Sequence, residues 1–393
     1  MGAIRMGLDS IDQLLTDQQE EILQFIESFV SVDSYTDDQV GVNRAGDTIC
    51  QCLDKLNIAY ERHANERYGD HIVGKIKGDK PGKILLLGHY DTVHRPGTTI
   101  VNPYREEGNF AYGPGVADMK SGVATMIYAA AALQKSDIEL CTIELLFTPD
   151  EEKGSPISRP IIKKSAETSL AVFNLESGRP DGSVVTSRRG SAHFQFNISG
   201  KASHSGVAKG DGISAIEELA YKVVALKELG DREEGITINV GVVSGGVNTN
   251  VVAPHARGTI HVGYAKEERF REVTKQIESI MAANYISGTS SELSGGNGIP
   301  PMERHSGVLM LYDIVQAAAT QLNIPIKEQA AKGAADSGFV ASLGVPTICA
   351  MGPIGDDLHS VDEKMEKDSL IPRTKLLAHS IRLASEQLSI PNA

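Results

Sequence analysis

Four cysteines in 393 residues are too few for a disulfide framework. Cys50 and Cys52 lie two apart in a segment of helical spacing, where residues i and i+2 do not share a face, so they make no metal clip. Cys141 and Cys349 adjoin or lie in apolar runs and read as small buried hydrophobes. A reducing, cytoplasmic setting is the expectation. No run of eighteen apolar residues occurs, so no membrane-spanning helix is expected. The opening MGAIRMGLDSIDQLL has early acids and no long apolar core, unlike a secretory signal, and Met6 stands where a myristoylation motif needs Ser or Thr. Positive charge is in deficit: 38 Lys and Arg against 51 Asp and Glu leave a net −13, which argues against a nucleic-acid partner. No G-x-S-x-G occurs, which disfavours a serine hydrolase. There is no internal repeat and no low-complexity tail.

What is present is a series of short apolar runs, each leading into a residue that can ligate a metal. Residues 84–87 lead through Gly88 to His89 and Asp91, and residues 142–147 lead through Pro149 to Asp150, Glu151 and Glu152. Residues 170–175 lead to Glu176, and residues 345–351 lead through a glycine-rich loop to His359. The runs have strand length, and in open parallel sheets ligands gather beyond the carboxyl ends of the strands.

Apolar periodicity predicts helices over 15–30, 43–56, 120–133 and 158–165, with strands near 58–62 and 72–76. Residues 79–82 read as a turn and 102–118 as loop. Strand and helix alternate, which implies an α/β layer with a mixed, mostly parallel sheet flanked by helices. The pattern changes near Arg188: strand 191–199, helix 211–229, strands 236–243 and 256–264, helix 266–283 and a strand near 290–294. That order suggests a small inserted α+β, ferredoxin-like domain. Helix 308–322, strand 345–351 and helix 374–388 then resume the first pattern. The chain is too long for one ordinary core. The expected division is a first catalytic part over 1–187, an insert over 188–305, and a second catalytic part over 306–393.

His89, Asp118, Glu152, Glu176 and His359 together offer two imidazoles and three carboxylates. That donor set suits zinc, cobalt or manganese better than calcium, which prefers all-oxygen sites. Five ligands are one too many for a single tetrahedral ion and fit two divalent ions sharing a carboxylate, about 3.5–4 Å apart. Asp91 is placed to accept the second ring N–H of His89 and fix its tautomer. One carboxylate must stay off the metals to move a proton, and the adjacent Glu151 and Glu152 can divide those tasks. His94, His193, His255, His261 and His305 read as surface or strand histidines, and Asp336 and Ser337 as stabilisers of a turn.

The segments GHYDTV, YGPGVADMKSG, LLFTPDEEKGS, GKASHSG and DDLHSVDE are similar to those of the di-zinc hydrolase family of glutamate carboxypeptidases, aminoacylases, acetylornithine deacetylases and succinyl-diaminopimelate desuccinylases. The resemblance spans almost the whole chain. It implies that His89, Asp118, Glu152, Glu176 and His359 hold the metals with Asp118 bridging, that Glu151 is the general base, and that Asp91 is the partner of His89. It further implies that the insert is a lid and dimerisation surface, that His204 reaches the substrate carbonyl, frequently across a homodimer, and that Asn250 helps to bind substrate. The chain departs from the family where Asp-x-Arg on a lid strand is replaced by His261-Val262-Gly263. The arginine that clamps a substrate carboxylate is absent at Gly263, and Arg257, Arg188 and Arg189 are the candidates to replace it.

The expected activity is therefore metal-dependent hydrolysis of a small peptide or N-acyl amino acid by a metal-bound hydroxide. A carboxypeptidase or exopeptidase is the first reading and an N-acyl-amino-acid deacylase the second. A non-catalytic relative that binds a partner through the lid is the third.

Overall fold

The structure is a computed structural model that describes residues 7–206 and 211–388; the first six residues of the opening segment weighed above as a leader lie outside the described residues. Two compact units form. Met1–Ser187, Arg304–Ala330 and Ala335–Ala393 make the first, and Arg188–Glu303 with Ala331–Ala334 the second.

The first unit is built on a six-stranded sheet. Its strands are β1 (Ala59–His63), β2 (His71–Ile76), β3 (Lys80–His89), β4 (Cys141–Thr148), β5 (Ala171–Asn174) and β6 (Thr347–Ile348), in the order β1-β2-β4-β3-β5-β6. β4, β3, β5 and β6 run parallel, while β1 and β2 add an antiparallel edge. Ile84, Leu85, Leu86 and Leu87 are all fully buried, as a central parallel strand covered on both faces requires. Each such side chain contributes roughly 1.5–3 kcal/mol. The helix Ser121–Gln134 is buried around its whole circumference as far as Leu133. Gly122 allows its closest approach, because a Cβ there would lie 1.9 Å from the carbonyl oxygen of Leu175. This contact sets the start of the helix, just after Asp118, against the chain leaving β5 toward Glu176.

Several predicted elements differ in detail. The helix read over 15–30 is two, Leu8–Asp17 and Gln19–Val30. All of the turn read at 79–82 but Asp79 belongs to β3, whose pairing with β4 shifts register between Lys80 and Lys83, around a proline that has no N–H to offer a ladder. The loop read over 102–118 contains a hairpin, Arg105–Glu107 with Phe110–Tyr112, and Lys364–Glu366 pairs onto it. The strand read over 345–351 is only Thr347–Ile348. The last helix starts at Lys367 and runs through Pro372, which removes one intrahelical hydrogen bond.

The second unit has an antiparallel four-stranded sheet in the order Thr237–Gly245, His255–Tyr264, Gly190–Ser199, Ser290–Ile299. With the helices Ala215–Lys227 and Glu267–Ala282 it forms a ferredoxin-like α+β fold. Burial alternates along Gly190–Ser199, and Phe194, Phe196 and Ile198 pack with Leu219, Ile260, Val273 and Ile277. Lys222 is buried in an ion pair with Glu218 at 3.0 Å, and its Nζ also donates to the carbonyls of Ile280, Met281 and Ala283. Among the described residues, no helix is long and apolar enough to cross a membrane.

Candidate metal centre

The carboxyl ends of β3, β4 and β5 present His89, the Glu151–Glu152 turn and Glu176 from one sheet. The centre of the arrangement is Asp118, held buried in the loop before Ser121–Gln134. One of its oxygens lies 3.1 Å from Nε2 of His89 and the other 3.0 Å from Nε2 of His359. Nε2 of His359 is also 3.3 Å from Oε1 of Glu152. Donor atoms of His89, Asp118 and Glu152 all lie within 4.8 Å of one another. Glu176, buried just beyond β5, stands outside that tight cluster, yet its charge bears on Glu151.

The His89 ring meets Asp91 through both its main chain and its carboxylate. Its Nδ1 lies 3.1 Å from the main-chain carbonyl of Asp91 and 3.3 Å from the Asp91 carboxylate. Either contact leaves Nδ1 as the donor and Nε2 free to face Asp118. The Asp91 carboxylate also accepts the N–H groups of Glu151 and Glu152, both at 3.2 Å, and the hydroxyl of Thr36 at 2.7 Å.

Electrostatics mark the cluster as short of positive charge. Burial pushes Glu151 well above the ordinary carboxylate range; His89 opposes this, and the charges of Glu176, Asp336 and Glu152 add to it. Burial likewise lifts Glu152 to about 7. Burial disfavours charge on Asp118 too, but the imidazoles of His359 and His89 outweigh it and hold that acid well below its usual range. Hydrogen bonds to Asp118 and Glu152 raise His359 to about 10.

These residues fit a pair of divalent cations. A buried carboxylate with each oxygen turned to a different imidazole has the arrangement of a bridge between two ions. Oε1 of Glu152 is buried and faces the His359 ring. Crowded acids whose ionisation is opposed by burial and by one another are stabilised by added positive charge.

Four residues support the cluster, and of these the sequence reading gave a turn-stabilising role to Asp336 alone. His94 is half-buried rather than at the surface, with Nε2 2.8 Å from Oε2 of Glu363. Glu363 itself is buried and accepts backbone N–H groups of Gly115, Ala117 and Asp118. Asp150 accepts from the hydroxyl of Ser158 and the N–H of Ile157, and burial lifts it to about 6. Asp336 is buried, accepts from Ser155 and Thr148, and so braces both ends of the turn that carries Glu151. Loop acids that serve backbone donors leave no periodic signal; only a capping-like spacing would have hinted at Asp150.

The remaining predicted residues belong to the second unit. His204 is exposed, bridges to Val251, and its Nδ1 accepts the N–H of Gly206 at 3.1 Å. Asn250 is its neighbour across that bridge, and its carbonyl accepts the N–H of Ser205. Arg257 is exposed and its Nε donates to Ser244 at 2.8 Å. A Cβ on Gly263 would meet Oγ1 of Thr237 at 2.6 Å, so the position is closed to a larger side chain as it stands. Arg188 is buried and donates to the carbonyl of Gly333.

Comparison with known proteins identifies the family and the fold. Residues 85–383 match peptidase family M20/M25/M40. The chain is 31% identical over 374 residues to carboxypeptidase G2 of Pseudomonas sp. (strain RS-16), covering 93% of this chain and 89% of that protein. It is 24% identical over 414 residues to N-formyl-4-amino-5-aminomethyl-2-methylpyrimidine deformylase of Bacillus subtilis, covering 94% and 95%. Among solved structures, the Bacillus subtilis YXEP protein, described as a dinuclear metal-binding peptidase, superposes with a TM-score of 0.70 at 15% identity, over 94% of this chain and 99% of that one.

Proposed function

The chain belongs to peptidase family M20/M25/M40 and is a metal-dependent hydrolase of peptide or amide bonds; from that premise we propose that it is a zinc carboxypeptidase or exopeptidase releasing the C-terminal amino acid of a small substrate. The observation that carries the metal chemistry is Asp118, with one oxygen toward His89 and the other toward His359. His89, Asp118, Glu152, Glu176 and His359 would hold two ions, with Asp118 between them. Zinc suits the mixed imidazole and carboxylate donors. Bound ions would supply Lewis acidity, polarising the scissile carbonyl and acidifying a water.

In this reading, Glu151 takes the proton of the attacking water and passes it to the leaving nitrogen. A carboxyl whose proton affinity is raised by burial suits both halves of that transfer. Asp91 keeps His89 oriented and holds the turn that bears Glu151. His204 donates to the developing oxyanion, while Asn250 and Arg257 bind the substrate. The likeness to carboxypeptidase G2 favours release of a C-terminal residue.

The likeness to a deformylase supports a second reading, an N-acyl-amino-acid deacylase using the same groups. Metal-reconstituted protein assayed on dipeptides and on acetyl-, succinyl- and formyl-amino acids separates the two. Turnover of the dipeptides is the expected result; turnover of the N-acyl compounds alone would replace the first reading with the second. We further propose a cytoplasmic enzyme, since its few cysteines are all buried like small hydrophobes, and read it as a homodimer through the inserted unit.

A further inference from the structure

The Glu363 carboxylate is buried, and among the described residues its hydrogen-bond donors are three backbone N–H groups and one imidazole, with the charge of buried Lys120 also bearing on it. Oε1 accepts from Ala117 and Asp118, both at 2.9 Å, and Oε2 accepts from Gly115 at 3.2 Å. Nε2 of His94 completes the set at 2.8 Å, and because a carboxylate only accepts, that nitrogen carries the proton. Four charge-assisted hydrogen bonds of this kind offset much of the desolvation of a buried carboxylate.

The connections matter more than the count. Glu363 follows His359 by four residues, His94 follows His89 by five, and Gly115–Asp118 is the loop of the bridging acid. The adjoining pairing of Lys364 with Tyr112 fixes the place of Glu363 in the chain. One carboxylate therefore joins the three loops whose side chains converge at 3.0–3.1 Å in the His89–Asp118–His359 contact. Gly115 has φ +76°, and a Cβ there would meet Thr92 at 2.5 Å, so that loop has a tight, irregular path that its own sequence would not hold unaided.

We propose that Glu363, secured by His94, is a positioning residue for the metal centre: it fixes the backbone at Asp118 so that the two oxygens of the bridging carboxylate face different histidines. The inference rests on the metal-binding reading of Asp118. The residue touches neither substrate nor ion and acts through the aim of Asp118. Glutamine in its place keeps one acceptor for Ala117 and Asp118, but turns an NH₂ toward the donors of Gly115 and His94.

The test measures zinc affinity of metal-free protein by competition with a chromophoric chelator, alongside the melting temperature of the metal-free form. The variants are Glu363→Gln, Glu363→Ala, His94→Ala and His94→Gln, with Asp118→Asn as control. Loss of an outer partner of a metal ligand typically costs about 10–100-fold in affinity. Glu363→Gln should fall in that range, Glu363→Ala lower still, and His94→Ala should weaken zinc binding by a smaller factor that His94→Gln, which keeps a donor, partly restores. Wild-type zinc affinity in a folded Glu363→Gln overturns the proposal. Should neither Glu363 variant fold, wild-type affinity in His94→Ala overturns it instead. Undiminished zinc binding by Asp118→Asn would overturn the metal-centre reading beneath it, a different failure with a different signature.

Discussion

The backbone N–H of Glu151 lies 3.2 Å from Oδ1 of Asp91, so the acid that abuts the His89 ring also fixes the start of the turn carrying the proposed base. Asp91 is fully buried and serves only as an acceptor, with Glu152 N–H and the Thr36 hydroxyl on its other oxygen. Asp91→Asn sets an amide donor against one of these donors. The expected result is a loss of about 1–3 kcal/mol of stability from the donor left unmatched, with zinc affinity down about 10–100-fold. Melting curves and chelator competition check both, and full zinc affinity in the folded variant would refute the role given to Asp91.

Glu151→Gln separates chemistry from metal binding. The substitution preserves shape and removes a carboxyl that burial and its acidic neighbours already keep from ionising easily. Zinc content should therefore stay at the wild-type level while turnover falls by about 10²–10⁴-fold, the usual contribution of a positioned proton carrier. Elemental analysis and steady-state rates on the same sample decide it. Retained turnover would remove Glu151 as the base.

Of the predicted ligands, His89, Glu152 and Glu176 were legible because each lies just beyond a buried strand: Ile84 to Leu87 before His89, and the run ending at Thr148 before Glu151 and Glu152, are apolar for a reason that periodicity detects. The groups that fix those ligands were not. Glu363 accepts backbone N–H groups brought near by the fold and His94 donates to Glu363, and a loop residue serving a distant partner has no spacing to betray it; Asp336 was legible only as a turn stabiliser. The same limit hid the hairpin Arg105–Glu107 with Phe110–Tyr112, whose short strands pair with Lys364–Glu366 far along the chain. The Asp118–Met119 peptide is cis, which no residue pattern announces. At the last helix, the sequence reading began beyond Pro372, whereas packing carries the helix back to Lys367.

His71 gives a pH prediction away from the metals. Burial, reinforced by the charge of His63, pushes it down to about 4 from 6.5. Its Nε2 lies 2.8 Å from the Ser158 hydroxyl, which donates onward to Asp150. Between pH 6.5 and 4 the unfolded chain binds a proton here that the folded chain refuses. Stability present above pH 6.5 is thus lost as the pH falls toward 4, by roughly 2–3 kcal/mol. Asp150, lifted by burial to about 6 from 3.8, works in the opposite sense over most of that window, since the folded form is protonated first. The difference between wild type and His71→Gln isolates the histidine. Urea unfolding at pH 7, 6, 5 and 4 should show a shallower acid loss in the variant, and identical slopes would refute the assignment.

The second unit makes the homodimer testable. Its strand Thr237–Gly245 lies at the edge of the sheet, with no strand on its outer side among the described residues. Val242 and Val243 on that strand, Val247 beyond it, and Tyr221 and Val224 on the helix Ala215–Lys227 are all more than half exposed. Isolated exposed valines need no explanation, but a β-branched edge strand beside an apolar helix surface is an open template for another strand, and natural edges of this length usually carry charge. Pairing of this edge with its own copy about a two-fold axis would satisfy the free backbone groups and cover the valines together. Val242→Asp combined with Val224→Asp places charge on both parts of the surface while leaving the core of Phe194, Phe196 and Ile260 untouched. Light scattering should then report a dimer for the wild type and a monomer for the double variant, with both retaining the same far-ultraviolet circular dichroism. A wild type that remains monomeric at about 100 μM, well above the dissociation constants of stable interfaces, would end the homodimer reading and with it the contribution of His204 across the dimer.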